Sequence, residues 1–170
     1  MKKIYYFYEG ETEKTFLTTL KGSYILSGRL SKFNLWQDSI NKIKRKFNTL
    51  DELFFIIDTD TLPKTKGFID NLRHLSDYNF HLVVQNKNLE DELVASCNKK
   101  SKNDLYQKFY SKTSKTEFKS SFIKDNNLKG KLERNNFNYE LLWSRTNDFS
   151  KFLMSNGFKN DLILKPVKSG

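Results

Sequence analysis

Residues 53–57 read Leu-Phe-Phe-Ile-Ile, and no polar residue interrupts them. A strand with one wet face alternates apolar and polar residues, so an unbroken run belongs in a strand buried on both faces. Two further runs, Ile-Tyr-Tyr-Phe-Tyr at 4–8 and Phe-His-Leu-Val-Val at 80–84, have the same character. Between them lie segments with helical spacing. Residues 12–20 read as a short helix capped by Thr12, residues 38–50 place Ile40, Ile43 and Phe47 beneath a basic face, and residues 67–75 form a third. A weaker strand candidate surrounds Leu35 at 32–37. This β-α alternation predicts an α/β fold with a mostly parallel sheet flanked by helices on both faces.

From Leu89 onward the pattern turns helical. Residues 98–134 carry eleven Lys or Arg against four Asp or Glu, a net of +7, interspersed with Tyr106, Phe109, Tyr110, Phe118 and Phe122. This stretch reads as helices and a mobile arm, its rings either stacking on unpaired bases or lining the inner face of helices. Residues 138–158 read as a last amphipathic region ended at Gly157, and residues 161–166 as a final strand or a segment that packs down. The expected organisation is an α/β core over 1–95 and a basic, mainly helical, Lys-rich extension over 96–170, packed on the same domain. A chain of 170 residues is the size of one domain.

The formal charge of +10 favours contact with a polyanion, nucleic acid above all. Lys99, Lys100, Lys102, Lys108, Lys112 and Lys115 are the candidate phosphate contacts. Cys97 stands alone, so no internal disulfide forms and a reducing compartment fits. No run approaches the roughly 20 apolar residues of a membrane span, and the first residues turn acidic before a signal-peptide core could form. A cytoplasmic location without membrane contact is expected.

Against this basic background the acids are conspicuous by position. Glu9 follows the first apolar run, Asp58 and Asp60 follow the second, and Glu90, Asp91 and Glu92 follow the third. In a parallel sheet the C-terminal strand ends share one edge, where open α/β proteins place their ligands. Clustered carboxylates repel one another, and a hard divalent cation relieves that repulsion through oxygen ligands. Residues two apart share a face of a straight strand, so Asp58 and Asp60 can be presented together, and a backbone that curves at the strand end would turn them towards Glu9. Acids in a first helical turn also complement the helix dipole, which is the alternative role of the group at 90–92.

An apolar strand ending in Glu-Gly, followed by a later strand ending in D-x-D, resembles the Toprim domain of topoisomerases, primases and nucleases. The extended pattern E-G-x-T-E, met here by Glu9, Gly10, Thr12 and Glu13, is similar to the stand-alone Toprim nucleases of the OLD and RloB-like groups, many of them linked to phage defence. The resemblance covers roughly residues 1–95. It implies a Toprim-like, Rossmann-like fold and a nuclease, a phosphodiester hydrolase of DNA or RNA that uses one or two Mg²⁺ or Mn²⁺ ions. It further implies that Glu9 is a metal ligand or general base, that Asp58 and Asp60 bind Mg²⁺, and that Glu13 helps to hold a second ion. Gly10 would permit the tight turn and a close approach of phosphate, and Glu90, with Glu92 as the fallback, would be the third acidic site. Any OLD-like nucleotide coupling would need an ATPase on another chain, and a free nuclease would call for a silencing protein or narrow specificity.

Other readings fit less well. A haloacid-dehalogenase-type phosphatase has Thr or Val at the fifth position of D-x-D-x-T, where this chain has Leu62, with Thr61 one place early. A P-loop lacks its second glycine, and a receiver domain would need paired acids after the first strand. His74 and His81 have no cysteine neighbours and read as packing residues, as do Trp36, Trp143 and Cys97. A non-catalytic module that binds nucleic acid or a partner protein is the competing class.

Overall fold

The structure is a computed structural model that describes residues 1–60 and 65–168. Thr61 and Leu62, on which the phosphatase comparison turns, lie outside the described residues. The three apolar runs form strands β1 (Ile4–Tyr8), β3 (Glu52–Asp58) and β4 (Asn79–Gln85), and a fourth strand, β2, spans Arg29–Lys32. All pair in parallel in the order β2-β1-β3-β4, with Tyr5 opposite Leu53 and Asp58 opposite Gln85. The strands that end in Glu9 and Asp58 are therefore neighbours at the centre of the sheet. Side chains alternate between two separate cores, which is why neither central strand shows a polar alternation.

One core receives Tyr6, Tyr8, Phe54, Ile56 and Val83. It is covered by α1 (Glu11–Leu20), α3 (Leu89–Ser96), α4 (Lys102–Tyr110), α5 (Lys115–Lys124) and α6 (Leu128–Arg134). The other receives Tyr5, Phe7, Leu53, Phe55, Ile57, Leu82 and Val84, beneath α2 (Thr65–His74), α7 (Asn147–Ser155) and the segment 33–47. The aromatics of the basic stretch point inward: Phe109, Phe118 and Phe122 are fully buried and Tyr106 nearly so, which decides between the two roles open to those rings. Residues 98–134 are thus three packed helices rather than helices with a mobile arm. Trp36, Trp143 and Cys97 are buried as well. His81 is half-buried beside Glu52, and burial lowers its pKa.

Three expectations for the first half require correction. The second strand lies at 29–32, before the expected 32–37, because Asn34 turns the chain by accepting the Trp36 N–H at 2.9 Å. The expected helix at 38–50 is two short 3₁₀ turns, Ile40–Lys42 and Lys44–Lys46. Buried Asn71 accounts for this: its side chain accepts from the Ile40 N–H at 2.9 Å and donates to the Leu35 and Asp38 carbonyls at 2.9 and 2.7 Å. Those backbone groups are satisfied across the core instead of along a helix. Ile40, Ile43 and Phe47 are buried nonetheless. Finally, α1 is capped by Gly10, and Thr12 sits buried inside it. At the other end of the chain, Ile163 makes a single parallel bridge to Leu82 on the outer edge of β4.

Candidate functional site

The C-terminal ends of β1, β3 and β4 meet on one edge, and the chain there is tightly tied. Beyond Asp58 the backbone curls, so that the Thr59 and Asp60 N–H groups both donate to the Lys87 carbonyl, at 2.8 and 3.2 Å. Thr59 Oγ1 donates to the Gln85 carbonyl at 2.8 Å and accepts from the Lys87 N–H at 2.9 Å. Trp36 Nε1 holds the Asp58 carbonyl at 2.9 Å. These bonds provide the curvature expected at the strand end. Asp60 is exposed and receives Asn88 Nδ2 at 3.3 Å, and Asp58 is half-buried and accepts a short bond from Gln85 Nε2.

Glu9, Glu13, Asp58, Asp60 and Glu90 form one electrostatic group. Burial, then the charges of Asp58, Glu13 and Asp60, raise the Glu9 pKa to about 8, although the Asp58 N–H opposes the shift. Burial, then the charges of Glu13, Asp60 and Glu90, raise that of Asp58 to about 7, against the Gln85 bond. Burial raises Glu13 too, with Lys119 and Glu90 acting on it in opposite senses. Glu9 Oε1 is buried with no hydrogen-bond partner. A buried carboxylate oxygen without a donor is costly, and it is the kind of group that a cation or a proton satisfies.

The donor set is all oxygen, which suits Mg²⁺ or Mn²⁺ over softer ions. Among the described residues no three His, Cys, Asp or Glu side chains are drawn together tightly enough to enclose one ion as they stand. The acids that would hold one are Glu9, Asp58 and Asp60, with Glu13 and Glu90 behind them. Their mutual repulsion gives a cation a reason to draw them in.

Glu90 and Glu92 have different surroundings. Glu90, only 2% exposed, lies 3.3 Å from Lys119 Nζ and within the charge field of Asp58 and Glu13. Glu92 is fully buried, its Oε1 accepting the Asn86 N–H at 2.7 Å and its Oε2 the Trp143 N–H at 2.8 Å, with Arg145 at 3.7 Å. Both its oxygens are taken by backbone, so Glu92 is a clasp between the β4 exit and the C-terminal part of the chain. Asp91 pairs with Lys102 at 3.1 Å, and Asn88 caps α3 through the Asp91 N–H at 3.2 Å.

Gly10 has φ −138° and ψ 171°, extended backbone open to any residue, so the turn does not require glycine. A Cβ on residue 10 would sit 2.9 Å from Glu13 Oε2, the far end of a flexible side chain that would have to shift.

Of the six candidate lysines, Lys102 reaches the rim of the site through Asp91. Lys100, Lys108 and Lys115 are exposed, Lys99 and Lys112 half-buried, and among the described residues none of these five pairs with the site acids. Lys119 does, and its spacing within the basic run gives no sign of that. Gln85 was more accessible to inspection, as the one amide ending a buried apolar strand. No helix among the described residues is long and apolar enough to cross a membrane. Compared with family models, with curated proteins and with solved structures, the chain matches none.

Proposed function

We propose that this chain is a Toprim-like, metal-dependent nuclease that hydrolyses phosphodiester bonds of DNA or RNA, working in phage defence or a related bacterial conflict system. The observation that carries the reading is the convergence of Glu9, Glu13, Asp58, Asp60 and Glu90, from three strand exits, into one charge-coupled group with a buried unpartnered oxygen on Glu9. Mg²⁺ or Mn²⁺ bound there would supply a more acidic water and a Lewis acid for the leaving oxygen. Without metal Glu9 keeps its proton to about pH 8, and a bound cation would release it, leaving Glu9 a carboxylate that can serve as ligand or general base. The +10 charge of the whole chain brings a polyanion to this acidic edge.

A non-catalytic nucleic-acid-binding module is the second reading, and the ion pair of Lys119 with Glu90 favours it, since an ammonium there neutralises part of the acid group without metal. Cleavage of supercoiled plasmid, single-stranded DNA and total RNA, in Mg²⁺, Mn²⁺ or chelator, separates the two. The nuclease reading expects cleavage that requires metal and vanishes in Asp58→Ala. Binding that is indifferent to chelator, with no cleavage of any substrate, would replace it with the second.

A further inference from the structure

Beside the acid group, on the α7 side of the β3 and β4 exits, lies a cleft of about 610 Å³. That volume is within the range of roughly 300–1,000 Å³ common to small-molecule sites. Its walls differ from those of the acid group. Lys87 and Arg145 bring cations to it, Asn86 and Asn147 amides, and Phe149 and Phe152 aromatic surface. Lys87 is exposed, in the left-handed region at φ 68°, where its N–H and carbonyl are both tied to residues 59 and 60. Arg145 donates through Nη2 to the Asp91 carbonyl at 3.1 Å while its side chain remains 43% exposed. Thr59, between Asp58 and Asp60 in the chain, lines the same cleft.

We infer that this cleft seats one unpaired nucleotide of the substrate strand, next to the phosphate presented to Asp58 and Asp60. The inference rests on the nuclease reading and narrows its substrate to nucleic acid that is single-stranded at the cut. A cation pair suits the phosphodiester, amides suit a base edge, and ring surface suits a base face. A base still paired in a duplex could not enter a pocket of this kind without being drawn from its stack. Asp148 also lines the cleft and opposes an anion there, so its charge limits the affinity and offers a handle on it.

The test is binding of fluorescein-labelled DNA and RNA decamers in chelator, single-stranded and as duplexes, with AMP as competitor. Single strands should bind more tightly than duplexes. Lys87→Ala and Phe152→Leu should each weaken single-strand binding about five- to tenfold, towards the low end of the value of one base–aromatic stack. Asp148→Asn should tighten it about two- to fivefold, a gain that misfolding cannot imitate. Duplex binding as tight as single-strand binding, or affinities indifferent to all three cleft substitutions, would overturn the inference. So would AMP binding in the cleft more tightly than the decamers, which would make it a site for a free nucleotide. Cleavage that requires metal and Asp58 but ignores the cleft substitutions would remove the cleft and keep the nuclease; binding that obeys them without any cleavage would do the reverse.

Discussion

Asp58→Asn should stabilise the metal-free protein. In the folded chain Glu9 keeps its proton to about pH 8 and Asp58 to about pH 7, against ordinary values of 4.5 and 3.8. The unfolded chain has released both protons well before that, so deprotonation favours unfolding over the whole interval. The contribution of these groups to stability is complete below about pH 4 and is lost as pH rises through about 7 and 8. Each tenfold displacement is worth about 1.4 kcal/mol, so Asp58 alone accounts for on the order of 4 kcal/mol at most. Asp58 is partly hydrated and its charge also raises Glu9, and about 2–4 kcal/mol is the portion that Asn relieves. Asn retains an oxygen to accept the bond from Gln85. For a domain of this size the gain corresponds to roughly 5–10 °C in Tm. Thermal melts in chelator should therefore show wild type losing Tm from about pH 5 to pH 8 and the variant losing less, since buried Glu9 still titrates in it, with the two converging at the acid end. Millimolar Mg²⁺ should restore wild type at pH 8 and leave the variant nearly unmoved. A wild-type Tm that is flat over this interval, or a variant less stable than wild type at pH 8, would refute the coupling of these acids.

Gly10→Ala should fold normally, since its backbone conformation is open to alanine, but should displace the Glu13 carboxylate and weaken the Mg²⁺-induced rise in Tm several-fold, as read by melts against Mg²⁺ concentration. Glu92→Gln sets an amide NH₂ against one of two backbone N–H donors and should cost about 1–3 kcal/mol in urea unfolding, with the Mg²⁺ response retained. Glu90→Gln should do the opposite, reducing the Mg²⁺ response with little loss of metal-free stability. Lys119→Met removes the cation beside buried Glu90 and should lower metal-free stability at pH 8 by about 1–2 kcal/mol, less than a fully buried pair because the lysine is 39% exposed, again measured in urea.

What could be read in the sequence was what depends on neighbours in the chain. The strands β1, β3 and β4 announce themselves because two-sided burial leaves no room for polar residues, and their parallel pairing follows from the helical spacers. The placement of Glu9, Asp58, Asp60 and Glu90 on one edge follows in turn from that pairing. Features that depend on distant partners stayed hidden. Asn71 replaces a helix ladder at 38–46 by bonds across the core, and no local propensity records that exchange. Glu92 and Glu90 differ by two positions in one acidic run, yet the contact that distinguishes them is made by Trp143, 51 residues away from Glu92. Gly10 adopts extended backbone open to any residue, so the tight turn does not account for it, and the nearest group to its missing Cβ is the Glu13 carboxylate, which no local pattern announces.

The Glu92 clasp has a consequence for the order in which this protein comes into being. Synthesis runs from the N terminus, so every acid of the site is made before Lys119, the Trp143 N–H and Arg145, which meet Glu90 and Glu92 from the far half of the chain. A nascent chain that has reached Cys97 holds Glu9, Glu13, Asp58, Asp60, Glu90 and Glu92, but neither Lys119, nor the Trp143 N–H, nor Arg145. Such a chain has the bonds of Gln85, Asn86 and Asn88 to Asp58, Glu92 and Asp60, but Glu90 lacks its ammonium partner and Glu92 one of its two backbone donors. The Glu90 ion pair and the Glu92 clasp therefore close only after translation has passed Lys119 and Arg145, which separates in time the making of these two acids from their restraint.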